Sequence, residues 1–307
     1  MRIDICVITY RRPKGLQRLF GGLDRLLLPA PEADVRVVVV DNDPDESARE
    51  VCRGAEDWLS LPIRYVVEKR RGIPQARNTA LAAVLQGADF VAFVDDDAEP
   101  EGRWLAELCR IQASRDADAV TGPVRAAFEE PPAGWITRGG FFQRPRHTTG
   151  QRIEYARTGN VLIATAALAR MDRLFDERMA LTGSSDTEFF RRFAARGNRI
   201  VWADGAVVRE WVQPSRARLG WILRRGFRVG NAETFIERVI AEPRQPAHRV
   251  IAHGLWCCAK GLALAALGLV RGPAEAVRGL RLAWVGAGRL AGLLGYRYEE
   301  YRTIHGS

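Results

Sequence analysis

Short runs of Val, Ile and Phe recur through the first hundred residues, each ending in polar residues and followed by a stretch with helical spacing. The runs are IDICVITY (3–10), VRVVVVDND (35–43), IRYVVEK (63–69) and DFVAFVDD (89–96), and the segments near 13–28, 45–60 and 74–87 predict helices between them. Strands alternating with helices predict a parallel α/β sheet. Ligands of such sheets bind beyond the carboxyl ends of the strands. Here those ends carry Thr9, Tyr10 and Arg11, then Asp41, then Arg70 and Arg71, then Asp95, Asp96 and Asp97.

Beyond residue 115 the pattern is less regular. Strands are expected at 118–127 and 158–165, with a Pro-, Gly- and Arg-rich loop at 129–150 of the kind that covers a pocket. Ser184 or Ser185 would cap a helix that Gly197 ends, and a strand then leads into Trp211. The tail differs in kind. Residues 251–270 are apolar apart from His253 and Lys260, at the lower edge of the length that spans a bilayer. In the segment from Pro273, a helical step brings Arg278, Arg281 and Arg289 within about 80° of one another, opposite Leu280, Ala283, Trp284, Ala287, Leu290 and Leu294. That pattern suits a helix lying in a membrane interface, with arginines toward headgroups; a helix packed on the domain is the alternative.

Composition narrows the class. The 307 residues are 47% hydrophobic, enough for a sizeable core, and carry a net charge of +9. Residues 1–206 hold 30 Lys and Arg against 30 Asp and Glu, whereas 207–307 hold 16 against 7, so the excess belongs to the last third. Its arginines alternate with aliphatic stretches rather than a base-stacking motif, which disfavours nucleic acid and favours an anionic membrane surface. Cys6, Cys52, Cys109, Cys257 and Cys258 are odd in number and lack metal-ligand spacing, so neither a disulfide framework nor a structural zinc site is expected. MRIDICVITY reads as a strand, so no cleaved secretion signal is expected.

Three adjacent carboxylates at the end of an apolar strand repel one another unless a cation shares the site. On extended backbone Asp95 and Asp97 would point one way and Asp96 the other. One of them would hold Mg2+ or Mn2+ while another meets a ribose or sugar hydroxyl. Lys69, Arg70, Arg71 and Arg77 supply cations for phosphate. Asp41 would accept from a base N–H with Tyr10 against that base, or would simply start a turn. The chain has neither G-x-G-x-x-G after the first strand nor G-x-x-x-x-G-K-[ST], so a dinucleotide dehydrogenase or P-loop NTPase lacks its phosphate cradle. Asp186 and Glu188 in GSSDTEFF are the best-placed acids for a general base, and spacing alone does not choose between them.

In order, VITYRR, VVVVDND, RRGIPQARNTAL, FVDDDAEP, TGNVLI and GSSDTEFFRRFAARGNRIVWADGAVV resemble the inverting glycosyltransferases of family 2 over roughly residues 3–212. EWVQPSRARLGWILRRGFRVGN and the apolar tail look similar to members that build bacterial surface polysaccharides and glycolipids on lipid carriers. The resemblance implies a GT-A fold: a mixed, mostly parallel sheet flanked by helices over 1–212, with nucleotide-binding and acceptor-binding halves dividing near 115. A basic, helical, membrane-associating extension would follow over 213–307. It implies a nucleotide-sugar donor, most often UDP-linked, a divalent metal, and a saccharide or lipid-linked acceptor at the cytoplasmic face of the inner membrane. Thr9, Tyr10, Arg11 and Asp41 would surround base and ribose, with Arg71 and Arg77 near the nucleotide. Asp97 would coordinate the metal, assisted by Asp95 or Asp96. Asn160 would lie near the donor sugar, and Asp186 would be the general base with Glu188 in reserve. Ser185 stands where many relatives have Glu, and Arg209 and Glu210 stand where many have a metal-binding His; Glu210 is the candidate replacement. A sugar nucleotidyltransferase and a non-catalytic nucleotide-binding module are the competing readings.

Overall fold

The computed structural model describes residues 1–84, 87–241 and 243–302. Strands β1 (Arg2–Thr9), β2 (Asp34–Asp41), β3 (Ile63–Val67) and β4 (Phe90–Val94) run parallel, linked by helices α1 (Pro13–Asp24), α2 (Arg49–Glu56) and α3 (Ile73–Val84). Both faces of these strands are covered, which is why they read as continuous apolar runs instead of alternating. Ile3, Ile5, Val7, Val37 and Val39 pack on one side against α1, while Cys6, Val38 and Val40 pack on the other against Ala76, Ala80 and Leu81 of α3.

Next come β5 (Ala98–Pro100), α4 (Trp104–Arg115), β6 (Ala119–Thr121), β7 (Val124–Phe128), α5 (Gly134–Gly139), β8 (Arg152–Ile153), β9 (Asn160–Ala164) and α6 (Thr165–Ala169). Then follow α7 (Ser185–Ala195), β10 (Ile200–Trp202) and β11 (Val208–Val212). The main sheet has the order β3-β2-β1-β4-β9-β6-β10-β8, with β9 antiparallel to both neighbours, and β5-β11-β7 forms a second sheet. The expected single strand over 118–127 is therefore two strands in different sheets. The break falls at Gly122–Pro123: a Cβ on Gly122 would lie 2.3 Å from the Ala206 carbonyl oxygen, and proline has no N–H for a ladder. The expected loop 129–150 contains α5 and lines a cleft of about 460 Å³ with Phe141, Phe142 and Arg144.

The tail forms α8 (Leu219–Phe235) with a wider π turn at Ile236–Ile240, then a hairpin of α9 (Ala247–Arg271) and α10 (Pro273–Leu293). Across the hairpin Gly254 faces Gly286, Gly261 faces Gly279, and Gly268 packs on Ala276. A Cβ on Gly261 would stand 2.3 Å from Ala283 N, so only glycine lets the two backbones meet. The arginines of α10 do not point to a headgroup layer. Arg289 is buried and pairs with Glu237 at 2.6 Å, Arg278 donates to the carbonyls of Gly139 and Arg138, and Arg281 packs on Gly226 of α8. Periodicity had located one face correctly but could not say what covered it. The exposed apolar surface lies mainly on α9, at Leu255, Trp256, Leu262, Leu267, Leu269 and Val270, and α9 is long and apolar enough to cross a membrane.

Candidate active site at the carboxyl edge of the sheet

β4 ends at Val94, and Ala98 N donates to the Asp95 carbonyl at 3.1 Å, closing a turn over the three aspartates. Pleat alternation does not apply on a turn, and the expected separation of Asp96 from Asp97 fails. Instead the two converge: Arg12 Nη1 lies 2.9 Å from Asp96 Oδ1 and 3.3 Å from Asp97 Oδ2. Thr9 Oγ1 donates to Asp96 Oδ2 at 2.8 Å, and Arg216 Nη1 donates to Asp97 Oδ2 at 3.0 Å. Glu210 lies opposite Ala98 in the β5–β11 pair, bonds Arg144, and stands 3.8 Å from Arg216. Asp95 abuts Gly159, where a Cβ would be 2.6 Å from its Oδ2.

The three carboxyls differ electrostatically. Burial and the neighbouring Asp97, Glu210 and Asp96 push Asp95 up to about 7 against the pull of Arg77. Burial also raises Asp96, despite Arg12. Burial acts upward on Asp97 as well, but Arg216 and Arg12 outweigh it and hold this carboxyl below its usual range. Carboxylate oxygens that converge on one cationic nitrogen, with a further carboxylate on the adjoining strand, are a hard donor set suited to Mg2+ or Mn2+. Among the described residues no three acidic, His or Cys side chains form a ready-made cation cage. A dication here would complete its shell with diphosphate oxygens and water.

On the β1–β2 side, Tyr10 lies under Arg71, whose guanidinium carbon is 4.6 Å from the ring centroid, with Arg11 at 5.4 Å. Arg71 also donates to the Tyr301 carbonyl at 2.7 Å, so the chain's last described turn crosses this side of the site. Arg11 pairs with Asp43 at 2.8 Å. Asp41 is fully buried, accepting from Ala48 N at 2.7 Å, Tyr65 OH at 2.8 Å and Asp43 N at 3.1 Å. It fixes the turn after β2 and delays the start of α2. Asn42, which spacing did not single out, donates to the carbonyls of Glu68 and Arg70 and accepts from Gly72 N, so it shapes the Arg70–Gly72 loop.

On the opposite side, Gly183 and Ser184 take left-handed backbone (φ 74° and 64°) immediately before α7. Neither serine caps the helix through its side chain; Ser185 Oγ instead accepts from Arg77 Nη1 at 2.9 Å, tying α7 to α3. Asp186 occupies the first turn, half-buried, and among the described residues bonds only the neighbouring Thr187 N at 2.8 Å. Glu188 is buried, held by Arg173 at 3.0 Å and Arg192 at 2.5 Å. Asn160 is also fully buried: it accepts from Trp104 Nε1 at 2.8 Å and donates to the carbonyls of Pro123 and Ala206. Glu188 and Asn160 are thus engaged by the fold. Arg12, Arg144 and Arg216 escaped sequence reasoning, because only folding brings three separate loops to one turn.

The profile described as "Glycosyl transferase family 2" matches residues 4–174. The succinoglycan biosynthesis protein ExoM of Rhizobium meliloti (strain 1021) is 34% identical over 255 residues, covering 83% of this chain and 78% of that protein. Among solved structures, the mannosyltransferase PcManGT from Pyrobaculum calidifontis, in complex with GDP-Man and Mn2+, superposes with a TM-score of 0.65 at 20% identity over 95% of this chain and 87% of that one. S. aureus TarS 1–349, in complex with UDP, gives 0.55 at 17% identity over 97% and 93%. The mixed sheet with its flanking helices is of the GT-A type, and the chain belongs to glycosyl transferase family 2.

Proposed function

We propose that the protein transfers a sugar from a UDP-sugar to a hydroxyl of a saccharide or lipid-linked acceptor, with inversion, during assembly of a surface polysaccharide. The observation that supports this reading is the link, through Arg77 and Ser185, between two acidic groups in unlike surroundings. The Asp95–Asp97 turn is crowded with arginines, while Asp186 on α7 pairs with no cation among the described residues and is linked through Ser185 and Arg77 to Asp95's surroundings. The first suits a diphosphate leaving group, the second a proton acceptor.

Asp97, with Asp96 or Glu210, would hold Mg2+ or Mn2+, which when bound offsets charge developing on the diphosphate. Arg12 and Arg216 can exchange a carboxylate oxygen for a phosphate oxygen with little movement and stabilise the leaving group. Tyr10 presents its ring, and Arg11 and Arg71 their charge, to the nucleotide. Asp186 takes the acceptor hydroxyl proton as that oxygen attacks the anomeric carbon opposite the departing UDP. The PcManGT complex supports a divalent metal by its Mn2+, and the TarS complex supports the donor class by its UDP. ExoM's part in succinoglycan biosynthesis supports the polysaccharide role. The exposed apolar face of α9 supports attachment to a membrane.

The pair Asp186→Asn and Asp97→Ala tests the assignment. The first is expected to lower turnover by about 10²–10⁴-fold with UDP affinity intact, the second to weaken metal-dependent UDP binding. Wild-type turnover in Asp186→Asn, or UDP binding in Asp97→Ala that keeps its full response to metal, overturns the respective role.

A further inference from the structure

Arg225 and Arg228 of α8 and Arg281 of α10 form a cationic group beside the site that neither the fold nor the donor chemistry consumes. Arg225 stacks on Trp221, with its guanidinium carbon 5.3 Å from the ring centroid. Its neighbour Gly226 packs so closely on α10 that a Cβ there would lie 2.8 Å from the Arg281 carbonyl and 3.1 Å from Arg281 Cγ. Arg228 reaches the loop that presents Asp186: its Nη1 is 2.5 Å from where a Cβ on Gly183 would stand, and its Nε is buried without a hydrogen-bond partner. Among the described residues none of the three pairs with a carboxylate at contact distance. Glu210, a carboxylate that acts on Arg225 electrostatically, is already bonded to Arg144 and lies near Arg216. Partly buried guanidinium groups that act on one another without a paired counter-charge among the described residues are costly, and an anion would remove that cost. Burial, then Arg228, pulls the Arg225 guanidinium down to about 9, in keeping with the missing anion.

Position identifies which anion. The group lies between the Gly183–Asp186 loop, where a reacting hydroxyl would arrive, and Glu210 of the metal side. Its α10 member belongs to the hairpin whose other helix exposes Leu255, Trp256, Leu262 and Leu267. We infer that Arg225, Arg228 and Arg281 bind the phosphate or diphosphate of a lipid-linked acceptor, holding its head beside Asp186 while its hydrocarbon runs along the apolar hairpin. The inference rests on the acceptor class proposed above.

The test is cosedimentation of the full chain with phosphatidylcholine vesicles carrying polyprenyl diphosphate, in EDTA and without donor, so that it reads out whether or not sugar transfer has been observed. The Arg225→Gln/Arg281→Gln double variant should bind these vesicles at least about tenfold more weakly than wild type, the loss of about one charge-assisted contact. It should match wild type on vesicles carrying phosphatidylglycerol instead and in UDP affinity with Mn2+. If melting shows the double variant unfolded, Arg228→Gln carries the same comparison. Equal binding of variant and wild type to polyprenyl diphosphate vesicles overturns the site. Wild-type binding that does not distinguish the two anionic vesicles overturns its specificity, and a parallel loss of UDP affinity assigns the arginines to the donor instead.

Discussion

Arg12 occupies the place between Asp96 and Asp97 where positive charge is needed, and its removal measures how strongly the turn depends on a cation. Arg12→Gln leaves two carboxylates with side-chain exposures of 7% and 16% sharing one fewer partner. Asp97 retains Arg216 at 3.0 Å, so the loss falls mainly on Asp96, which keeps only Thr9. At 2.9 Å and an effective dielectric of 20 the gross attraction is about 6 kcal/mol. Much of it is offset by the desolvation of Arg12, and removing one member of a buried pair typically costs about 3–5 kcal/mol. With Thr9 still donating, the lower end applies. For a chain of this size each kcal/mol moves the melting point by about 2 °C, so Arg12→Gln should melt about 6 °C below wild type in EDTA. Because Mn2+ can take the vacated position, saturating Mn2+ should raise the variant's Tm by more than it raises that of wild type. Calorimetry with and without Mn2+ decides it. An unchanged melting point in EDTA, or a metal response no larger than wild type's, refutes the view that Arg12 stands in for the dication.

Asp95, pushed up to about 7, keeps a proton in the folded state at pH values where the unfolded chain has released it. Stability should therefore fall as pH rises from about 4 to about 7, by up to about 1.4 kcal/mol per unit for one proton. In EDTA, Asp95→Asn should gain on wild type across that window and match it below, read by denaturant titration at several pH values; parallel profiles would contradict the assignment. Glu188→Gln leaves Arg173 and Arg192 without their buried partner and should cost about 3 kcal/mol in urea unfolding, while the folded fraction keeps its turnover. Loss of turnover without loss of stability would return Glu188 to the chemistry. Gly261→Leu forces a side chain where a Cβ already meets Ala283 N at 2.3 Å, so it should splay the hairpin and release α9 to proteolysis. A wild-type digestion pattern would show that the close approach is not needed.

The first four strands were legible because both faces are covered, and a doubly covered strand writes itself as a run of Val and Ile. The turn at Asp95–Asp97 was legible as a cluster, but the direction of each side chain was not, since alternation holds only while the backbone stays extended. Asp41, Asn160 and Glu188 share one gap in what local pattern records. A polar residue in a motif looks the same whether or not it also serves the fold, and the structure adds the buried partners that each of them holds. The arginines of α10 show the same limit at helix scale, since periodicity found their face and folding turned it toward α8. Arg12, Arg144 and Arg216 lie in three loops far apart in sequence, and no local pattern records their convergence.

Metal-dependent glycosyl transfer at a site holding Asp97 and Asp186 is the proposed activity. Its most direct test is incubation of the purified chain with a panel of nucleotide-sugars and Mn2+ or Mg2+, following the nucleotide product by chromatography and the anomeric configuration of the sugar product by NMR. The expected result is release of UDP from one UDP-sugar, abolished by EDTA and in Asp97→Ala, with the product anomer opposite to the donor's. Formation or pyrophosphorolysis of the nucleotide-sugar, or nucleotide binding with no turnover of any donor, would contradict it.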